Sequence, residues 1–119
     1  MCSSKCEGVC LASSWRGQSE TDHNRTQVVT SKFRYYGTSQ PFADYSTENL
    51  KYLNSTQALA DLAYFIDYMN TEIQTQYGVR AQWVCVGGSY PGALSAWFKA
   101  KYPNHVVAAW SSSGVINPI

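Results

Sequence analysis

The chain has 119 residues, 45% of them hydrophobic, and its 9 basic and 8 acidic side chains leave a net charge of +1. That length and apolar content allow one small domain with a buried core. The charges are spread along the sequence, which argues against a basic surface for nucleic acid or membrane. No apolar stretch is long enough to span a bilayer.

Residues 1–27 are polar, rich in Ser, Thr and Cys, and show no periodicity, so an irregular segment is expected there. Residues 1–20 contain no apolar h-region, and this sequence shows no signal peptide. Cys2, Cys6 and Cys10 recur at intervals of four. That is not a usual zinc spacing, so no metal site is expected, and sequence leaves their pairing undetermined. Asn24-Arg25-Thr26 and Asn54-Ser55-Thr56 are sequons for N-glycosylation.

Val28–Phe33 is a short β-leaning run that ends at Arg34-Tyr35-Tyr36-Gly37. Thr38–Tyr45, with Pro41, reads as a loop, and Ser46–Leu53 as a short helix or turn. Asn54 and Gln57 have the spacing of a capping box, so a long helix is expected from there to about Tyr77. Leu59, Leu62, Ala63, Ile66 and Met69 recur on one face of that helix, and Gly78 supplies a stop. Trp83–Val86 is an apolar run suited to a buried strand. A helical pattern follows from about Tyr90 to Pro103, and Val106–Trp110 is a third strand. The expected order is β-α-β-α-β, with near-continuous apolar strands in a parallel sheet covered on both faces. Cys85 is expected as a buried thiol in the second of these strands.

Between that strand and the next helix stands Gly87-Gly88-Ser89-Tyr90-Pro91-Gly92. A strand, a glycine turn with serine at its apex and then a helix is the sequence form of a nucleophile elbow. The backbone turns sharply so that the serine stands clear of the sheet, and strand and helix then crowd one another. Gly87 and Gly88 are the small residues expected on the strand side. Pro91 stands where G-x-S-x-G has its last glycine, and it is suited to a first helical turn. Ser89 is the expected nucleophile. The backbone amide of Tyr90, at the helix N-terminus, is the expected oxyanion donor.

A general base is harder to find. α/β-Hydrolases take their triad in the order Ser, Asp or Glu, His, yet no Asp or Glu follows Ser89. His105 lies beyond the elbow helix, about 15–20 Å from Ser89 at about 1.5 Å per residue, and His23 lies in the irregular segment. Neither is expected to be catalytic. The isolated chain is therefore expected to be inactive, a partial piece of a larger hydrolase.

The stretch from Arg34 onward resembles a family of serine carboxypeptidases. It comprises lysosomal Pro-X carboxypeptidase, dipeptidyl peptidase II and thymus-specific serine protease. The likeness is carried by Arg34-Tyr35-Tyr36-Gly37-Thr38-Ser39-Gln40-Pro41-Phe42, Ser46-Thr47-Glu48-Asn49-Leu50-Lys51-Tyr52-Leu53 and Gln57-Ala58-Leu59-Ala60-Asp61-Leu62. It continues through Gly87-Gly88-Ser89-Tyr90, Ala96-Trp97-Phe98, Lys101-Tyr102-Pro103 and Ser111-Ser112-Ser113-Gly114. The family has Glu-His before Arg-Tyr-Tyr-Gly where this chain has Lys32-Phe33.

The resemblance implies a partial α/β-hydrolase domain over residues 32–119, preceded by an irregular or non-homologous segment over 1–31. It implies an exopeptidase of the Pro-X carboxypeptidase or dipeptidyl peptidase type, acting on peptides next to proline in a lysosomal or secreted setting. Ser89 matches the family's nucleophile and Tyr90 its oxyanion residue. No cofactor or metal is implied. The competing readings are another α/β-hydrolase, such as an esterase or lipase, and an inactive fragment with a binding role. Arg34, Tyr35 and Tyr36 either shape the site or only pack. Asp44 and Glu48 are expected as solvated loop charges, and Asp61 and Asp67 as the polar face of the long helix.

Overall fold

The computed structural model describes residues 8–15 and 25–116. Its elements run β1 (Gly8–Trp15), β2 (Arg25–Lys32), a 3-10 turn (Asn49–Tyr52), α1 (Ser55–Tyr77), β3 (Gln82–Gly88), α2 (Tyr90–Lys101) and β4 (Ala108–Ser112). The four strands form one sheet in the order β2-β1-β3-β4.

Only part of the sheet is parallel. β3 and β4 run parallel, from Val84 opposite Ala108 to Gly88 opposite Ser112, with α2 as the crossover. β1 runs antiparallel to both neighbours, pairing Gly8 with Lys32 on one side and Cys10 with Val86 on the other. The fully parallel β-α-β-α-β order is therefore corrected. The run expected as its first strand is β2, which lies outside β1 and does not pair with β3. Nor is the segment 1–31 wholly irregular, because β1 and most of β2 fall inside it. The Ser/Thr-rich sequence of β2 suits its place. It lies at the edge of the described sheet, Val28 is 68% exposed, and a strand with water on most of its surface has no need of an apolar repeat.

α1 forms where the apolar spacing calls for it. Asn54 takes an extended conformation and its Oδ1 accepts the backbone N–H of Gln57 at 2.8 Å. The reciprocal half of the capping box is absent, because Gln57 Nε2 donates to Asp61 Oδ1 at 2.9 Å instead. Gly78 ends the helix with φ 69°, and its N–H donates to Gln74 O at 2.9 Å. A left-handed cap of this kind favours glycine. The buried face is Leu59, Leu62, Ala63, Ile66 and Ile73, with Met69 partly buried beside it.

That face joins Trp83 and Cys85 of β3 and Leu94 and Phe98 of α2 in one core. Each large apolar side chain so buried contributes about 1.5–3 kcal/mol. The Trp83 indole N–H donates to Asn70 Oδ1 at 2.9 Å, so the core's largest side chain buries no unpaired donor. Cys85 is fully buried, with its Sγ 3.5 Å from Ser95 Oγ. Cys10 lies in β1, while Cys2, Cys6, His23 and Asn24 fall outside the described residues. β4 begins two residues later than expected. Val106 is buried ahead of it, and the Val107 N–H donates to Trp83 O at 2.9 Å. No helix among the described residues is long and apolar enough to cross a membrane.

Candidate active site

β3 runs straight into α2 with one residue between them, and that residue is Ser89. Its φ of 60° with ψ −125° is one of three positive-φ positions held by a residue other than glycine among the described residues. Such a backbone costs about 1–3 kcal/mol and persists only where neighbours over-determine it. They do so here. The Ser89 N–H donates to Ser112 O of β4 at 2.9 Å, and its own carbonyl accepts the Ala93 N–H at 3.1 Å. The result is an exposed serine at the carboxyl end of β3, above the parallel half of the sheet.

Close approach of strand, helix and the turn after β4 explains three glycines. A Cβ on Gly87 would come 2.2 Å from Pro91 O, and one on Gly92 would come 2.7 Å from Ser112 O. One on Gly114 would come 2.4 Å from Ser111 Oγ and 2.8 Å from Ala93 N. Gly88 is different, since its nearest neighbour would be Ser112 O at 4.0 Å. The expectation that both Gly87 and Gly88 relieve crowding is thus corrected: only Gly87 does.

Tyr90 opens α2, and Pro91 follows in the first turn. The first N–H groups of a helix lack intrahelical partners, and the helix dipole concentrates positive potential there. The Tyr90 amide is therefore suited to an anion beside Ser89. Behind it, the buried Ser95 Oγ donates to Pro91 O at 2.9 Å and ties the first turn of α2 to the second. Ser111 Oγ is buried with no hydrogen-bond partner among the described residues.

The Tyr90 ring leans on Phe33 edge-on, with centroids 6.3 Å apart. Burial pushes its phenol above the usual tyrosine range, and Tyr36 adds to the rise. Together these rings wall a pocket of about 130 Å³ with Arg34, Tyr52 and Asp61. Sequence reading left Arg34 open and placed Asp61 on the polar face of α1. Here the two meet, with Arg34 Nη2 2.8 Å from Asp61 Oδ1 and Nε 3.1 Å from Oδ2. Tyr35 closes the turn behind them with φ 73°. Its N–H donates to Ser39 O at 2.7 Å, and its hydroxyl donates to Asn49 O. Asp44 accepts from Asn49 Nδ2 on the exposed loop. The signal that could have found this arrangement is the Arg-Tyr-Tyr-Gly turn itself. Its partner Asp61, 27 residues away in sequence, left none.

His105 does not approach Ser89. It follows α2, whose 12 residues at about 1.5 Å each separate the two by about 18 Å. Its Nε2 lies 3.3 Å from Asp67 Oδ2, and its ring packs against Tyr102 and Phe98. Asp67 is thus the neighbour of His105 rather than only part of a solvated face. Among the described residues, no group of three or more His, Cys, Asp or Glu stands where it could hold a metal ion.

The chain is an α/β protein in which a strained, exposed serine stands between a β-strand and the N-terminus of a helix. The chain belongs to the serine carboxypeptidase S28 family, whose model matches residues 18–118. It is 43% identical over 96 residues to human lysosomal Pro-X carboxypeptidase and 44% identical over 96 residues to the bovine protein. A Caenorhabditis elegans protein carrying a serine-protease name is 49% identical over 91 residues. These matches take in 76–77% of this chain but only 16–19% of each relative. The chain thus spans about a fifth or less of the length of the curated relatives it matches. No solved structure matches it.

Proposed function

We propose that this chain carries the nucleophile of a serine-type exopeptidase, with Ser89 at the apex of a nucleophile elbow in part of an α/β-hydrolase domain. The observation that carries this is the backbone of Ser89, positive in φ and pinned on both sides between β3 and α2. In this reading the Ser89 Oγ attacks the scissile carbonyl carbon while a general base takes its proton. The carbonyl oxygen becomes an oxyanion and is held by the Tyr90 N–H. Collapse breaks the C–N bond, the amine leaves with the proton from the base, and water then releases the acyl group from Ser89.

The base and its acidic partner belong, in this proposal, to residues other than those described, since His105 faces Asp67 at the far end of α2. The names of the mammalian relatives support a peptide substrate with proline beside the scissile bond and a lysosomal or secreted setting. Residues 32–119 form part of the hydrolase domain, and the family match reaching back to residue 18 supports extending it upstream.

The test is hydrolysis of proline-containing peptides and of short acyl esters by the protein that carries this chain, beside its Ser89→Ala variant. The proposal expects peptide cleavage with a preference for proline, and a loss of about 10³-fold or more on substitution. Cleavage of esters alone, or cleavage indifferent to Ser89, would overturn it.

A further inference from the structure

The sequon Asn54-Ser55-Thr56 lies within the described residues, at the point where the chain enters α1. Its middle residue is serine, and the acceptor motif excludes only proline there. Asn54 is exposed and is also the N-cap of α1, so its side-chain amide has a structural task already. The two ends of that amide are used differently. Oδ1 faces the helix and accepts the Gln57 N–H at 2.8 Å. Nδ2 carries two N–H groups, and on the exposed side one of them donates to Lys51 O over a longer 3.3 Å. A sugar on Nδ2 replaces one hydrogen and leaves both the oxygen and the second N–H. The helix cap and a modified asparagine are therefore compatible at this position.

The surroundings suit a bulky polar group. Asn54 is extended, with φ −149° and ψ 157°. Lys51, Tyr52 and Leu53 before it are exposed, as is Thr56 after it. A glycan added here displaces no buried side chain, and glycans belong on such surfaces. It would also stand beside exposed apolar area, since Tyr52 and Phe42 stack on each other at the surface with centroids 6.4 Å apart. We propose that Asn54 is an N-glycosylation site whose sugar is carried on Nδ2 while Oδ1 continues to cap α1. In the transfer, Nδ2 attacks the anomeric carbon of an oligosaccharide borne on a polyprenyl pyrophosphate. The C–N bond forms as the C–O bond to phosphate breaks. The pyrophosphate leaves with that electron pair, and the amide proton passes to a base of the transferase. This rests on the lysosomal or secreted setting proposed above.

The test is expression of the full-length protein that carries this chain in eukaryotic secretory cells. Peptides are then mapped before and after a glycosidase that converts glycosylated asparagine to aspartate. The peptide holding Asn54 is expected to carry sugar in the parent and in Thr56→Ser, and to lose it completely in Thr56→Ala. Asn54→Asp, which keeps a preferred capping acceptor, should show the same loss and replaces the alanine variant if that one fails to fold. Sugar at Asn54 that persists in Thr56→Ala would overturn the proposal. If the protein reaches the lysosome or the medium with Asn54 bare, the site alone fails. If it stays in the cytosol and carries no sugar, the proposed setting fails and the site with it. Sugar at Asn54 on a protein without hydrolytic activity upholds the site and counts against Ser89 instead.

Discussion

At the scale of single residues, the site depends on what cannot be added to it. The Cβ that alanine would bring to position 87 meets main-chain atoms at 2.2 and 2.4 Å, and main chain cannot swing aside as a long side chain can. Gly87→Ala should therefore destabilise the fold by about 3 kcal/mol or more, at the upper end of overpacking costs. Gly88→Ala, meeting nothing closer than 4.0 Å, should stay within about 1 kcal/mol of the parent. Urea denaturation of both variants checks the contrast, and equal losses would contradict the geometry. Tyr90 makes a prediction in pH. Its phenol is raised above the ordinary value of 10.0 by burial first and by Tyr36 second. The folded state thus holds that proton more tightly than the unfolded chain. The stability this represents is complete below the unfolded value and is lost as pH rises through the higher folded one. As pH rises above about 10 the parent should lose more stability than Tyr90→Phe, and parallel losses would show that Tyr90 is not the group responsible.

At the scale of elements, most of what the sequence signals is local chemistry. Asn54, the apolar spacing of α1 and Gly78 marked both ends of that helix, because caps and periodicity act within a few residues. Asn54→Ala should cost about 1 kcal/mol through loss of the bond to the Gln57 amide, measured as a lower denaturation midpoint. The strand–serine–helix turn was legible for the same reason. Its third crowded glycine was not, since Gly114 earns its place only through contact with Ser111 and Ala93 across the fold. The Arg34–Asp61 pair was equally hidden, a contact between a residue left open and one placed on a polar helix face. Their side chains remain 35% and 37% exposed, so water screens them despite the two-point geometry. A double-mutant cycle with Arg34→Met and Asp61→Asn should give a coupling of about 0.5–1 kcal/mol that shrinks at high salt. A coupling that salt does not reduce would contradict a screened pair.

At the scale of the whole molecule, the sheet shows where sequence reading stops. β3, α2 and β4 were expected as a parallel unit because each announces itself by apolar run and helical period, and they form one. β1 was not expected. Its Ser-containing sequence follows no apolar repeat, and its place beside β3 is set by pairing with a strand far along the chain. That insertion puts one antiparallel strand between β2 and β3, which still run the same way as β4, and it leaves the carboxyl end of β3, and Ser89 on it, where the local motif puts them. The central claim is that this fold presents Ser89, and not merely one more surface hydroxyl, as the reactive group. The most direct measurement is incubation of the protein that carries this chain with a fluorophosphonate, followed by peptide mapping by mass spectrometry. A single adduct on Ser89, absent from Ser89→Ala, is the predicted result. Absence of an adduct there, or labelling spread equally over exposed serines such as Ser112 and Ser113, would contradict it.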